Sequence, residues 1–163
     1  KTEQITERDI DLVRKELESN KIPGATPNID EAYICDFNND GKEERILAAS
    51  APAEEFEDFI NMSTVKNSYS GNYTMVLIDN GIDVVCIHKE IAPYKLPKDS
   101  SEELSPLDYH VGSDKIAGIF DFNGDGLFEI CINWIAWEGG NYKTYSINSN
   151  GVYEQIFESY YGM

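Results

Sequence analysis

Positive charge is what this sequence most lacks. Thirteen Lys and Arg stand against thirty Asp and Glu, a formal net charge of −17. Such a surface repels phosphate-rich partners, which argues against nucleic acid and against an anionic membrane face. Long apolar runs are missing too, with no stretch long enough for a signal peptide or a membrane span. The chain opens on Lys1 in a charged stretch, the start expected of a mature or trimmed product. Cysteine is scarce and odd in number. Cys35, Cys86 and Cys131 cannot all pair within one chain, and none has the close spacing of a zinc or redox motif. All three sit in apolar, strand-like runs, so buried free thiols are expected, with a Cys35–Cys131 disulfide left open.

What is present is enough apolar material for a core. With 41% hydrophobic residues over 163 positions, the chain suits one compact domain and not a disordered acidic tail. Residues 1–22 read as one helix. There Thr6 is the expected N-cap, Asp9 the third helical position, and Ile5 and Ile10 a staple across the cap. Ile10, Val13 and Leu17 mark one face, suited to covering a sheet, and Pro23-Gly24 is the expected stop.

From Glu31 onward the pattern is β. Apolar runs of strand length fall at 32–36, 45–49, 73–78, 82–88, 116–120, 130–135, 142–147 and 152–157. Asp79-Asn80-Gly81 between two of them reads as a tight type I′ hairpin. Residues 92–106, with Pro93, Pro97 and Pro106 among polar residues, read as a surface connection. The runs fall into two similar units, 30–90 and 108–163. Each begins with an acidic loop, and each continues through an Asn-Tyr pair (Asn72-Tyr73, Asn141-Tyr142) and an Asn-Gly turn. From loop Asp to Tyr is 37 residues in the first unit and 21 in the second, so an insertion of 16 is expected within 51–66. The expected fold is mainly β: two blade-like, four-stranded antiparallel sheets packed together, with one N-terminal α-helix.

The two acidic loops carry the chemistry. In the first, Asp36, Asn38, Asp40, Lys42 and Glu44 occupy positions 1, 3, 5, 7 and 9. In the second, Asp121, Asn123, Asp125, Leu127 and Glu129 do. Calcium takes six to eight hard oxygens, and this spacing supplies side chains at 1, 3, 5 and 9 with a main-chain carbonyl at 7. Position 7 offers only backbone, so Lys42 and Leu127 are tolerated there. Position 6 must turn sharply, hence Gly41 and Gly126. An EF-hand would need a Glu at position 12 and flanking helices, but Leu47 and Ile132 stand there inside apolar strands. A single such run is compatible with an Asx turn that binds nothing. Two in register, each with its Glu, point to two calcium ions. Magnesium fits less well, since it keeps its waters. Two ions would move the net charge from −17 only to −13, so the acidic surface is otherwise a solvated one.

Asp36-Phe-Asn-Asn-Asp-Gly-Lys-Glu-Glu and Asp121-Phe-Asn-Gly-Asp-Gly-Leu-Phe-Glu, each followed by an apolar strand, resemble the calcium loops of FG-GAP/VCBS-type repeats. Those repeats form blades of integrin-like β-propellers in bacterial secreted and surface proteins. The resemblance implies that the five named residues of each loop bind one ion apiece, at an extracellular or cell-surface location. The Phe-Gly…Gly-Ala-Pro signature is missing, and two blades are too few to close a propeller.

Three functions follow as expectations. The first is a non-catalytic, calcium-stabilised extracytoplasmic module for structure or for binding a protein or glycan partner. The second is a carbohydrate-binding surface built from Trp134, Trp137, Tyr142 and Tyr145, against which stands ordinary core packing of strand aromatics. The third is a hydrolase. Asp108, His110 and His88 are its only candidates, without a nucleophile in context, and Cys86 with His88 is too little for a metal site.

Overall fold

The computed structural model describes residues 3–22, 25–51, 72–91, 111–136, 139–147 and 153–162. Its helix, α1, spans Glu7–Ser19. Thr6 caps it: Oγ1 accepts the Asp9 amide at 3.3 Å, and Asp9 Oδ2 accepts the Thr6 amide at 2.6 Å, a reciprocal capping box. The helix ends earlier than Pro23-Gly24. Asn20 is its C-cap, and Lys21 adopts a left-handed φ of 63°. The Lys21 amide then reaches the Glu18 carbonyl and the Ile22 amide the Leu17 carbonyl. This is a Schellman closure made without glycine, with Leu17 and Ile22 both buried beneath it.

Eight strands follow: β1 Ile29–Cys35, β2 Glu44–Ala51, β3 Tyr73–Asp79, β4 Val84–Ile91, β5 Ser113–Phe120, β6 Glu129–Ala136, β7 Gly139–Ile147 and β8 Tyr153–Gly162. They form two four-stranded antiparallel sheets, each with its strands in chain order. The layers run helix, sheet, sheet. Val13 and Leu17 of α1 pack with Leu47, Ala49, Met75 and Leu77 on one face of the first sheet. Its other face, with Ile46, Ala48, Val76 and Ile78, packs against Ile116, Ile130, Ile132 and Tyr145 of the second. β2 and β3 are therefore covered on both sides, which is why they read as nearly unbroken apolar runs.

Two details differ from expectation. Asp79 pairs with Val84, so the β3–β4 connection is a four-residue loop in place of a two-residue turn. Gly81 alone takes a positive φ there, while the Asn80 side chain accepts the amides of Ile82 and Asp83. The two Asn-Tyr pairs are also not equivalent. Tyr73 pairs with Ala51, whereas Tyr142 pairs with Asn133, which stands at the place of Ala48 counted from the loop Glu. An offset of three reverses the face, so Tyr73 points toward α1 and Tyr142 away from it. The proposed insertion at 51–66 lies almost wholly outside the described residues, as do the turn at 148–152 and the connection at 92–106. Among the described residues, no helix is long and apolar enough to cross a membrane.

Among the described residues, three ion pairs join the helix to the first sheet, Arg8–Asp79, Asp9–Arg45 and Glu16–Lys89, and the Asp9 pair is the buried one. Asp9 is fully buried, and Arg45 of β2 grips both its oxygens at 2.6 and 2.7 Å. Burial alone would raise the Asp9 pKa, but the Arg45 and Thr6 hydrogen bonds outweigh it and hold the carboxyl below its ordinary value. Removing the cation strands a buried charge. Arg45→Met is therefore expected to cost about 3 kcal/mol and to lower Tm by roughly 6–12 °C, read by thermal unfolding at neutral pH. A change within about 0.5 kcal/mol, the usual size at an exposed site, would show that the pair contributes nothing.

Candidate functional site

The loops occupy the β1–β2 and β5–β6 connections at one end of the molecule. Their internal bonding is nearly identical. The position-1 carboxylate accepts the amides of positions 5 and 6: Asp36 from Asp40 and Gly41 at 3.0 and 2.9 Å, Asp121 from Asp125 and Gly126 at 3.1 and 3.0 Å. Asn38 and Asn123 also accept the position-5 amide, and Asp40 and Asp125 the position-7 amide. The position-9 carboxylate turns back to the amide of position 2, Glu44 to Phe37 at 2.8 Å and Glu129 to Phe122 at 2.6 Å. Gly41 and Gly126 have φ of 85° and 87°, as position 6 requires. Position 4 is also left-handed, in Asn39 at 55° and in Gly124 at 77°, a constraint the sequence reading did not anticipate.

Glu44 and Glu129 are buried, while the loop tips are open to solvent. Burial, aided by the nearby Asp40 and Asp36 charges, raises the Glu44 pKa, although the Phe37 amide opposes the rise. The two loops lie side by side. The Phe128 amide, position 8 of the second loop, donates to the Phe37 carbonyl of the first at 2.9 Å. Among the described residues no three Asp, Glu, His or Cys side chains converge on one point. In a calcium loop of this spacing, Asn and main-chain oxygens complete the donor set. Both loops offer hard-oxygen donors around a left-handed glycine, and the first crowds Glu44 with like charge.

The four aromatics of the carbohydrate reading do not share a surface. Tyr145 is buried between the sheets, and Trp134, on the same face, donates its indole N–H to Glu90 at 2.8 Å. Tyr142 lies on the opposite face against Tyr161. Trp137, Asp108 and His110 lie outside the described residues. All three cysteines are free, so no Cys35–Cys131 bridge forms. The Cys86 thiol, pushed up to about 12 by burial, is held as an inert thiol.

A second polar cluster, lying between the two sheets, joins residues that no sequence motif links. Thr74 Oγ1 donates to Asp114 Oδ2 at 2.8 Å and accepts the Asp114 amide at 2.9 Å. His88 Nε2 stands 3.6 Å from Asp114 Oδ2 and 3.9 Å from Glu90 Oε1, and its Nδ1 meets the Tyr145 hydroxyl at 3.3 Å. Lys143 and Glu158 add charge from β7 and β8. Burial lowers His88 to about 4 and raises Asp114 to about 7.

A scan against protein-family models matches nothing, and searches of curated proteins and of solved structures return no match.

Burial shifts His88 and Asp114 in opposite directions, and the consequence for stability is a matter of counting protons. Folded, the pair carries one proton between about 4 and about 7; unfolded, with ordinary values of 3.8 and 6.5, it also carries one over nearly the same span. Its net pH dependence is therefore small. Single substitutions expose it. In His88→Gln, Asp114 keeps a proton that the unfolded chain loses, so stability falls as pH rises from about 4 to about 7. In Asp114→Asn, His88 refuses a proton that the unfolded chain takes up, so stability falls as pH drops from 6.5 toward 4. Slopes of up to about 1.4 kcal/mol per pH unit, opposite in sign, are expected in urea unfolding. Parallel pH profiles in the two variants would refute the opposed shifts.

Proposed function

We propose that the chain is a non-catalytic calcium-binding module of the extracytoplasmic space, its two ions holding the β1–β2 and β5–β6 loops in place. One observation carries this reading: two loops of the same spacing repeat the same internal bonds, down to the buried position-9 Glu on the position-2 amide. Asp36, Asn38, Asp40, Glu44 and the Lys42 carbonyl would hold one ion. Asp121, Asn123, Asp125, Glu129 and the Leu127 carbonyl would hold the other. Calcium accepts irregular geometry: Asp40 and Asp125 can keep one oxygen on a loop amide and turn the other to the ion, while Asp36 and Asp121, with both oxygens on loop amides, would share one of them with it.

The benefit to the fold is electrostatic. Each loop gathers three carboxylates, and Glu44 is already pushed toward protonation by burial and by its neighbours. A divalent cation relieves both costs. Millimolar calcium outside cells suits modules with dissociation constants of about 10⁻⁴ to 10⁻³ M, and the extracytoplasmic assignment rests on that match and on the loop resemblance. Structure or protein interaction is the role that follows, the ions acting as struts for the surface around them.

Calorimetric titration with CaCl₂ is expected to show two sites per chain. At free calcium 100-fold above Kd, each site adds about 2.7 kcal/mol, so EDTA lowers Tm by several degrees. Glu44→Gln and Glu129→Gln keep the oxygen that accepts the position-2 amide but remove its charge, and each is expected to lose or greatly weaken one site. Absence of binding heat together with an unchanged melting curve in EDTA would sink the proposal.

A further inference from the structure

Position 3 of each acidic loop holds an oxygen-bearing side chain, and position 4 takes a left-handed backbone. Glycine, and after it asparagine, adopts such a φ readily. The second loop meets both demands with Asn123-Gly124, the first with Asn38-Asn39. An Asn-Gly bond carries its own chemistry. With no Cβ on the following residue, the backbone nitrogen can reach the Asn side-chain carbon and close a succinimide ring. The structure holds each group that this reaction needs, at an exposed loop tip. Asn123 Oδ1 accepts the Asp125 amide at 2.9 Å, which polarises the side-chain carbonyl toward attack. Asn123 Nδ2, the leaving nitrogen, donates to Glu129 Oε1 at 3.3 Å. The Gly124 amide, whose nitrogen is the nucleophile, donates to Asp121 Oδ1 at 2.6 Å. Here the two loops differ. Among the described residues, Asp36 accepts only the amides of Asp40 and Gly41, and none from position 4.

We propose that Asn123 is a self-modifying site, deamidating through a succinimide with Gly124, and that Asp121 is the lock that sets its pace. The Gly124 nitrogen loses its proton to solvent base, and the freed lone pair bonds Asn123 Cγ. The Cγ–Nδ2 bond then breaks, and the side-chain nitrogen leaves as ammonia. Water opens the ring at either carbonyl, giving aspartate or isoaspartate at residue 123 and a new negative charge. Nothing is oxidised or reduced. Asp121 restrains the first step, because an amide proton lying against a carboxylate is held more tightly: the anion left behind would face like charge. The two products differ in consequence. Aspartate keeps an acceptor for the Asp125 amide. Isoaspartate runs the main chain through the former side chain, which shifts position 4 and the amides after it from their places on Asp121. The second loop therefore has a chemical lifetime, and the first, with Asn39 where the second has Gly124, has a longer one.

Peptide mapping by mass spectrometry reads the rates, after incubation of the full chain in mildly alkaline buffer with EDTA, which keeps metal out of the comparison. Asn39→Gly places the same dipeptide in the loop that lacks the lock, and the φ of 55° at Asn39 suits glycine. Within that one chain, Asn38 is expected to deamidate about 10- to 100-fold faster than Asn123, the factor that a hydrogen bond to a charged group is worth. Asp121→Ala is expected to bring Asn123 into the same range. Asp121→Asn, which keeps an accepting oxygen without the charge, is expected to fall between Asp121→Ala and the unaltered chain. Asn80, whose Gly81 amide rests on Asp79 Oδ1 at 2.9 Å, serves as reference in the same digest and is expected to keep its rate throughout. If Asp121→Ala fails to fold by circular dichroism, the Asn39→Gly comparison decides alone. Equal rates at Asn38 and Asn123 in Asn39→Gly overturn the proposal. So does an Asn123 rate that, in folded Asp121→Ala, stays unchanged or rises only in step with Asn80.

Discussion

The 2.8 Å bond from the Phe37 amide to the buried Glu44 carboxylate ties loop, strand and core together at one point. Glu44 begins β2, so the bond pins the start of the loop to the strand that follows it. It also sets Phe37 at the top of the inter-sheet core, among Ile46, Ile78 and Ile130. The Phe37 carbonyl then receives the Phe128 amide of the other loop. One carboxylate thus sets the path of the first loop, helps place a core side chain and brings the second loop alongside. The cost is a charge held out of water beside Asp36 and Asp40. Filling the loop with protein groups alone leaves that cost standing, which is the physical case for a cation.

Away from the loops the inter-sheet layer changes character. Near the loops it is aliphatic and aromatic. Toward the far end Thr74 and Asp114 replace that packing with directional bonds, and His88 and Tyr145 carry polar contacts further into the layer. Apolar contact between two sheets permits sliding, because many registers bury similar area. The two reciprocal hydrogen bonds between Thr74 and Asp114 do not, since both distances must hold at once. Trp134 to Glu90 and the Ile116 amide to Glu31 add further links between the sheets.

Much of this was legible in the sequence, for identifiable reasons. Runs such as Ile46–Ala49 and Met75–Ile78 signal strands because doubly covered strands need apolar residues at consecutive positions, and all eight expected strands are present. The Thr6–Asp9 box and the positive φ at Gly41 and Gly126 were legible because each rests on residues a few positions apart. Longer-range features were not. Asp9 looks like an ordinary helix-start acid, and only the fold reveals Arg45 on it. His88 and Asp114 belong to different sheets and have no spacing to detect. The Asn-Tyr pairs misled because similar dipeptides need not share a register, and an odd offset reverses the face. Lys21 misled in another way: it takes the left-handed position where glycine is usual, so the helix ends without its common signal.

The matching positions on the two sheets separate what must be buried from what is open. Ile46, Ala48, Val76 and Ile78, all covered, correspond by register to Cys131, Asn133, Tyr142 and Thr144. Every exchange introduces a polar or polarisable atom, and some of those atoms are already satisfied, as in the 2.9 Å bond from Tyr161 to Asn133. A face that was never free would gain nothing from such groups and would lose apolar contact. Phe122 and Phe157 stay exposed beside these groups. The same loop, strand order and register therefore frame a covered core in the first sheet and an exposed aromatic face in the second, and the difference lies in these few side chains.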